Sequence, residues 1–277
     1  MKPSKKTENV SVCSKYFSVA GPHLVEPSPQ RTPFIFQAGA SSAGKTFATK
    51  HAEVMFVPGW ETGVVRKNVD DIRERVRQHG RDPRGIKIIA AVLVVVDETD
   101  EKARAKYEDY ASYADLEGSL ALFAGWTGED LSKIGDDDDI KFSSLGPVQS
   151  VIETWSATVP GSDGVKWTKN RVARELAVGG PHAKLIGSPT TVADNLQQWV
   201  TEADVDGFNL LYAISPGSFK DIIRYLLPEL RRRGVFWDDY RAPGGTAREN
   251  YLGDDKGPHL RNDHPGAQYK WPAPAED

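Results

Sequence analysis

The sequence predicts an α/β protein with a parallel sheet, and three observations predict it. Short apolar runs alternate with amphipathic helical stretches along most of the chain. Residues Ile86 to Val96 form a long β-branched run that is apolar on both faces, as suits a parallel strand covered on both sides. The apolar run from Pro33 to Gln37 passes through a turn of small residues straight into a helix. Such a turn lets the backbone approach an anion and aims the first amides of the helix at it.

In chain order, residues 1–32 are polar and punctuated by Pro22, Pro27 and Pro29, so they read as an extended lead-in. The body runs from 33 to 237. Pro33 to Gln37 is a strand, Ala43 to Ala52 a helix, and Glu53 to Val57 a second strand closed by Pro58-Gly59. Val65, Val69, Ile72 and Val76 recur at helical spacing and predict a helix over 64–79. After the strand 86–96, Asp97-Glu98-Thr99-Asp100 caps a helix from about Glu101 to Tyr113. Residues 114–180 read as an irregular insertion, with one helix from Lys169 to Leu176. Within it, Asp136 to Asp139 lacks the alternating ligand spacing of a calcium loop and reads as a solvated turn.

Ala183 to Gly187 is a short apolar run. Ser188 and Pro189 are the expected cap and first residue of a helix whose apolar face is Val192, Leu196, Trp199 and Val200. Phe208 to Tyr212 is the fourth main strand. The last strong helix carries Phe219, Ile222, Ile223, Leu226, Leu227 and Leu230 and stops at Arg231-Arg232-Arg233-Gly234. From 238 to 277 the chain is rich in Pro, Gly and charge and reads as an extended, partly disordered tail.

Composition narrows the function classes. The net charge of −4 gives no reason to expect nucleic acid or an anionic membrane as partner. With Cys13 as the single cysteine, neither an intramolecular disulfide nor a cysteine metal cluster can form. His259 and His264 lack a third ligand for zinc, so no metal is expected. The longest apolar run is far short of a membrane span, and no apolar segment follows the basic N-terminus. A soluble cytoplasmic protein is the expectation.

The turn itself has two readings. Gly39 to Thr46 satisfies the P-loop pattern G-x-x-x-x-G-K-[ST], with Lys45 for the terminal phosphates, Thr46 for magnesium, and Asp97 or Glu98 as the acid ending a neighbouring strand. The bland alternative for Asp97 and Glu98 is helix capping. The second reading comes from the flanks. The segment PFIFQAGASSAGKTFATKHAEVMFVPG resembles a hallmark of the bacterial luciferase-like flavin monooxygenases, in the branch that holds the nitrilotriacetate, dibenzothiophene-sulfone and long-chain alkane monooxygenases. Two further blocks are similar in the same order: Gly187 to Phe236, and Thr246 to Gly253 (TARENYLG). Several long ordered blocks outweigh two short motifs.

The resemblance implies the C-terminal half of a (β/α)8 barrel, with about four parallel strands, flanking helices and an extended tail. It covers roughly Tyr16 to Gly253, and Met1 to Ser14 reads as a start unlike the family's. It implies that reduced flavin mononucleotide (FMN), supplied by a separate flavin reductase, is used to oxidise a small organic or xenobiotic substrate. The FMN phosphate would be held by Gly39, Ala40, Ser41 and Ser42, with Lys45 and Thr46 as ordinary helix residues. Most catalytic residues of the family lie in the half that is not matched. His182 sits where a family active-site histidine falls, an exposed loop histidine being the alternative; His51 reads as a packing residue of its helix. A half barrel leaves open sheet edges, so the isolated chain is expected to be marginally stable, to form a homo-oligomer, or to need its other half. A truncated, non-catalytic paralogue is the reading outside enzymes.

Overall fold

The computed structural model describes residues 11–13, 15–20, 28–38, 41–128, 130–131, 134–136, 138–140, 152, 155–156, 159, 162, 164–253 and 257–269. Where the sequence reads as an extended lead-in, two short strands pair antiparallel, β1 (Ser11–Cys13) with β2 (Ser18–Ala20). The main sheet is entirely parallel. It contains β3 (Phe36–Ala38), β4 (Val54–Val57), β5 (Lys87–Val96), β6 (Ala183–Gly187) and β7 (Gly207–Leu211). The four expected main strands are present, and the short apolar run at 183–187 joins them as a fifth member of the sheet. Its length disguised it: five residues, one of them Lys184, give too little alternation to separate a strand from a loop.

Register explains how β5 accommodates three neighbours. β4 pairs with Lys87 to Ala90, β6 with Val92 to Val96, and β7 with Ile89 to Leu93. Val92 and Leu93 pair with β6 and β7 at once, so these two strands occupy opposite edges of β5. β6 therefore continues the edge where β4 stops, and the Ala183 N–H donates to the Gly59 carbonyl at 3.2 Å.

Helices cover one face of this sheet in the order α1 (Ser42–His51), α2 (Thr62–Gln78), α6 (Pro189–Ala203) and α7, each packed on the next. Helix α7 joins Gly217–Asp221, a π-helical turn Ile222–Leu226, and Leu227–Arg232. The π turn has a covalent cause. Pro228 has no N–H and its ring would clash with the Arg224 carbonyl in a regular α-turn, so the Leu227 N–H reaches back to Ile222 instead. The predicted stripe Val65, Val69, Ile72 and Val76 is fully buried, against Met55, Val57, Ile88, Ala90, Val92, Val94 and Val96 of the sheet. Each such side chain removed from water contributes about 1.5–3 kcal/mol. Arg73 ties the same layer together from below. It donates to Asp204 at 2.9 Å, to Asp206 at 3.2 Å and to the Pro83 carbonyl at 2.8 Å.

The opposite face of the sheet is only partly covered along β3, β4, the first half of β5, and β7: Phe56 and Ile89 are half-buried, Val54 is fully buried, and the Tyr251 ring lies 5.6 Å from Phe36. Ala38, Phe56, Ile89 and Gly207 lie in one register row across it. Phe36 is 40% exposed and its ring stacks on Phe56 at 5.7 Å. Further along β5, Leu93 and Val95 are covered by α3 (Asp100–Ser112), through Tyr107 and Tyr110, and by Val178.

The stretch 114–180 is better organised than its sequence indicates. It holds α4 (Leu116–Thr127) and α5 (Lys169–Ala177), capped by Asp115 and Thr168. A separate core of Phe123, Leu131, Ile140, Ile152, Trp155, Trp167, Val172 and Leu176 closes over Trp60. Trp155 is its hub, with ring centroids 5.9 Å from Trp60, 5.7 Å from Phe123 and 5.6 Å from Trp167. The aspartate run serves this unit: the Asp136 carboxylate pairs with Lys169 at 2.8 Å, and Asp139 accepts from the Trp167 N–H at 3.3 Å.

The tail also departs from its composition. A capping box of Thr246 and Glu249 starts α8 (Ala247–Leu252), and a 3-10 turn forms at Pro265–Tyr269. Arg248 is fully buried and is bound by Glu53 at 2.6 and 2.9 Å. It also donates to the carbonyls of Gln30, Thr32, Pro33 and Pro258. Glu53 in turn accepts from the Ile35 N–H at 3.2 Å. One buried ion pair thus joins lead-in, sheet and tail. His264 completes the clasp: its Nδ1 accepts from the Gly266 N–H at 2.9 Å, so its Nε2 carries the proton donated to the His51 carbonyl at 2.8 Å.

Candidate functional site

The strongest candidate lies where β3 runs out and α1 begins. Two of the four residues expected to hold a phosphate, Gly39 and Ala40, lie outside the described residues. The other two are placed. Ser41 is the N-cap of α1, in extended conformation, and its Oγ accepts from the Gly44 N–H at 3.1 Å. The Lys45 N–H closes the first helical bond to the Ser41 carbonyl at 2.8 Å. The N–H groups of Ser42 and Ala43 therefore have no acceptor within the helix. Ser41, Ser42 and Ala43 are exposed, and no acidic residue stands in the first turn. Free amides, a serine hydroxyl and the positive end of a helix dipole match the donor set that a phosphate monoester needs.

The same geometry removes the P-loop reading. Lys45 turns away from the loop and pairs with Asp71 of α2 at 3.0 Å. Asp71 also holds Arg75 at 2.8 Å. Burial alone would raise the Asp71 carboxyl, but Arg75 and Lys45 outweigh it and hold it below the usual range. The Thr46 hydroxyl donates to the Ser42 carbonyl at 2.9 Å and accepts from Arg75 at 3.2 Å. The lysine and threonine of the pattern are thus engaged by their own helix and the next one. Asp97 is equally committed: its carboxylate lies 2.6 Å from the Lys106 ammonium. Thr99, not Asp97 or Glu98, is the cap of α3.

His182 lies beside the carboxyl end of β4, one residue before β6. The turn that sets it there depends on two glycines with positive φ, +81° at Gly179 and +67° at Gly180. At Gly179 a Cβ would stand 2.6 Å from the Leu93 side chain, so only glycine fits. The His182 N–H donates to the Gly180 carbonyl at 2.9 Å, and its Nδ1 is buried without a hydrogen-bond partner among the described residues. A buried orphan of this kind is a site for a ligand atom or water to complete. Burial, and then the neighbouring Lys184, lower the His182 pKa, so the imidazole is neutral at pH 7.

The lowered value has a pH signature. A histidine whose folded pKa lies below its unfolded value, near 6.5, stabilises the fold above that value and loses the contribution as pH falls through the folded one. The thermal midpoint is expected to drop between pH 7 and 5, and by less in His182→Gln. An identical pH profile in the variant would exclude His182 as a contributor.

Lys184 was not singled out in the sequence, although a lysine inside an apolar strand is a visible signal. Its Nζ sits 4.3 Å from the centroid of Trp60 and donates to the Glu175 carbonyl at 2.9 Å. Burial pushes its ammonium below the usual lysine range, with Glu175 opposing. Ser41 and His182 both follow or flank the carboxyl ends of parallel strands, the side of such sheets where ligands bind. No group of three potential metal ligands occurs among the described residues, and none of their helices is long and apolar enough to cross a membrane.

Comparison with known proteins agrees with this architecture. The family described as luciferase-like monooxygenase matches residues 4–206. The dimethyl-sulfide monooxygenase of Hyphomicrobium sulfonivorans is 42% identical over 265 residues, covering 96% of this chain and 54% of the relative. The long-chain alkane monooxygenase of Geobacillus thermodenitrificans is 43% identical over 269 residues, covering 97% and 55%. Among solved structures, riboflavin lyase with modified FMN and substrate riboflavin superposes with a TM-score of 0.79 at 33% identity, covering 96% of this chain and 57% of that one. The chain spans about half the length of these relatives. Strand order, helix layer and matched sequence together place the chain in the luciferase-like monooxygenase family.

Proposed function

We propose that this chain carries the FMN-phosphate site of a two-component flavin-dependent monooxygenase. The observation that carries the reading is the N-terminus of α1: free amides at Ser42 and Ala43, the Ser41 hydroxyl beside them, and Lys45 drawn off to Asp71. Bound reduced FMN would supply the oxygen chemistry, as cofactors do, while the protein binds, orients and excludes water. Ser41 and the amides fix the phosphate end. His182, neutral and with a free Nδ1, is a candidate to hold or pass a proton at the carboxyl ends of the strands. A separate flavin reductase is the proposed partner. The substrate is proposed to be a small organic molecule, in keeping with relatives named for dimethyl sulfide and long-chain alkanes.

Equilibrium dialysis against FMN tests this. Ser41→Ala is expected to weaken binding about 10- to 100-fold, the cost of a hydrogen bond to a charged group. Lys45→Met is expected to stay within about threefold, since its ammonium is already paired near the surface. The opposite ranking, or ATP binding that needs magnesium and Lys45, would overturn the assignment.

A further inference from the structure

Helix α4 leaves one apolar stripe uncovered. Phe123 anchors the helix in the small core of the insertion and is buried there. Leu122 and Trp126, four residues apart on the outer side, are 45% and 53% exposed. Gly125 has open space where a side chain would stand. The tip of the Trp126 indole lies beside Gly180, in the turn that places His182. A Cβ at Gly180 would stand 3.8 Å from Trp126 Cη2 and 3.9 Å from His182 Cδ2. Both are ordinary contact separations. The missing side chain at Gly180 thus leaves a slot bordered by the indole on one side and the imidazole on the other. The ring atom next to His182 Cδ2 is Nε2. It has no hydrogen-bond partner among the described residues and, unlike Nδ1, it is not buried. Among the described residues the cation whose charge reaches His182 is Lys184. That ammonium is already engaged, by the Glu175 carbonyl at 2.9 Å and the Trp60 ring at 4.3 Å.

We propose that Trp126 determines substrate choice: the slot between it and His182 takes the alkyl arm of a small neutral molecule that carries one polar atom, and turns carboxylates away. The inference rests on the proposed function only in calling this ligand a substrate. An alkyl arm laid against the indole leaves water on both sides of the contact. The polar atom of the same ligand reaches the imidazole edge, whose Nε2 donates or accepts according to its tautomer. A carboxylate would shed its hydration and find no unpaired cation to receive it. The wall is also firmly held. Trp126 stands on a helix rather than a loop, and Phe123 pins that helix to the insertion core.

Nuclear magnetic resonance of the chain with nitrogen-labelled tryptophan tests this. Seven indole signals are expected, one for each tryptophan, and Trp126→Phe identifies the signal of Trp126. Titration with 1-butanol or diethyl sulfide is expected to shift that signal saturably and to leave Trp199, buried in the main core, unmoved. Butyrate, as long as butanol but charged, is expected to bind at least about tenfold more weakly. Gly180→Ala fills the slot without a clash and is expected to weaken butanol binding at least about tenfold. The backbone there has φ +67°, which strains alanine, so circular dichroism checks the fold of the variant. Trp126→Ala, on the exposed side of α4, stands by itself if Gly180→Ala fails that check; it is expected to weaken butanol binding to the same degree, read from the His182 imidazole signals. A Trp126 signal that does not move overturns the proposal. So does butyrate binding as tightly as butanol, or a Trp126→Ala that binds butanol as the parent does. Butanol binding in the slot of a chain that takes up no FMN in dialysis counts against the proposed function and leaves the slot standing.

Discussion

Arg248→Ala is expected to lower the unfolding free energy by about 3–5 kcal/mol, the cost of leaving a buried carboxylate without its partner. The residue is fully buried, and everything that its guanidinium touches is load shared between distant segments: Glu53 at the head of β4, and the carbonyls of Gln30, Thr32, Pro33 and Pro258. Four carbonyls would lose a donor together with the ion pair. Chemical denaturation read by circular dichroism measures the loss. Glu53→Gln/Arg248→Met is expected to recover part of it, because removing both charges also removes their desolvation cost. A single variant within 1 kcal/mol of the parent would show that water enters and replaces the guanidinium, and the clasp would then be dispensable.

Trp167→Ala is expected to cost a similar amount, about 3–5 kcal/mol, but in a different place. Trp167 belongs to the small core inside 114–180, which meets the main body through Trp60 and Lys184. The near-ultraviolet signal of the tryptophan cluster should collapse, and proteases should cut within the insertion, while the helix signal of the body persists. Trp167→Phe should do much less harm, under about 2 kcal/mol, because the indole N–H it removes is buried without a hydrogen-bond partner among the described residues. A single cooperative transition lowered equally for every probe would mean that the two cores are one folding unit.

Much of the body was legible in the sequence because its periodicity is strong. The stripe from Val65 to Val76 and the run from Ile86 to Val96 bury as their spacing demands. Ser188 caps α6 and Pro189 occupies its first turn, as the local chemistry requires. The proposed phosphate cradle rests on the flanks of the loop, not on the loop pattern, which fits two chemistries equally well. What decides between them is where Lys45 points, and that depends on Asp71, a residue of the next helix with no sequence signal of its own.

The parts least legible in the sequence share a cause. The insertion owes its order to tryptophans and isoleucines that meet only in three dimensions, with no helical or strand period among them. The tail is rich in Pro, Gly and charge, a composition that ordinarily cannot cover the cost of ordering the chain. Here Arg248, a capping box, His264 on the His51 carbonyl and Arg261 on Asp82 supply the contacts that fasten it. The motif blocks H-A-E and T-A-R-E stood out as family signatures; the structure gives them a reason, since Glu53 of the one holds Arg248 of the other.

That pairing also sets a schedule for synthesis. Glu53 and Arg248 are 195 residues apart, so at the usual pace of translation roughly 10–40 s separate their appearance. Throughout that interval β3 and the lead-in have no guanidinium to gather their carbonyls, and Glu53 must stay hydrated. The nascent chain therefore fastens β3 only once Arg248, 195 residues after Glu53, has been made.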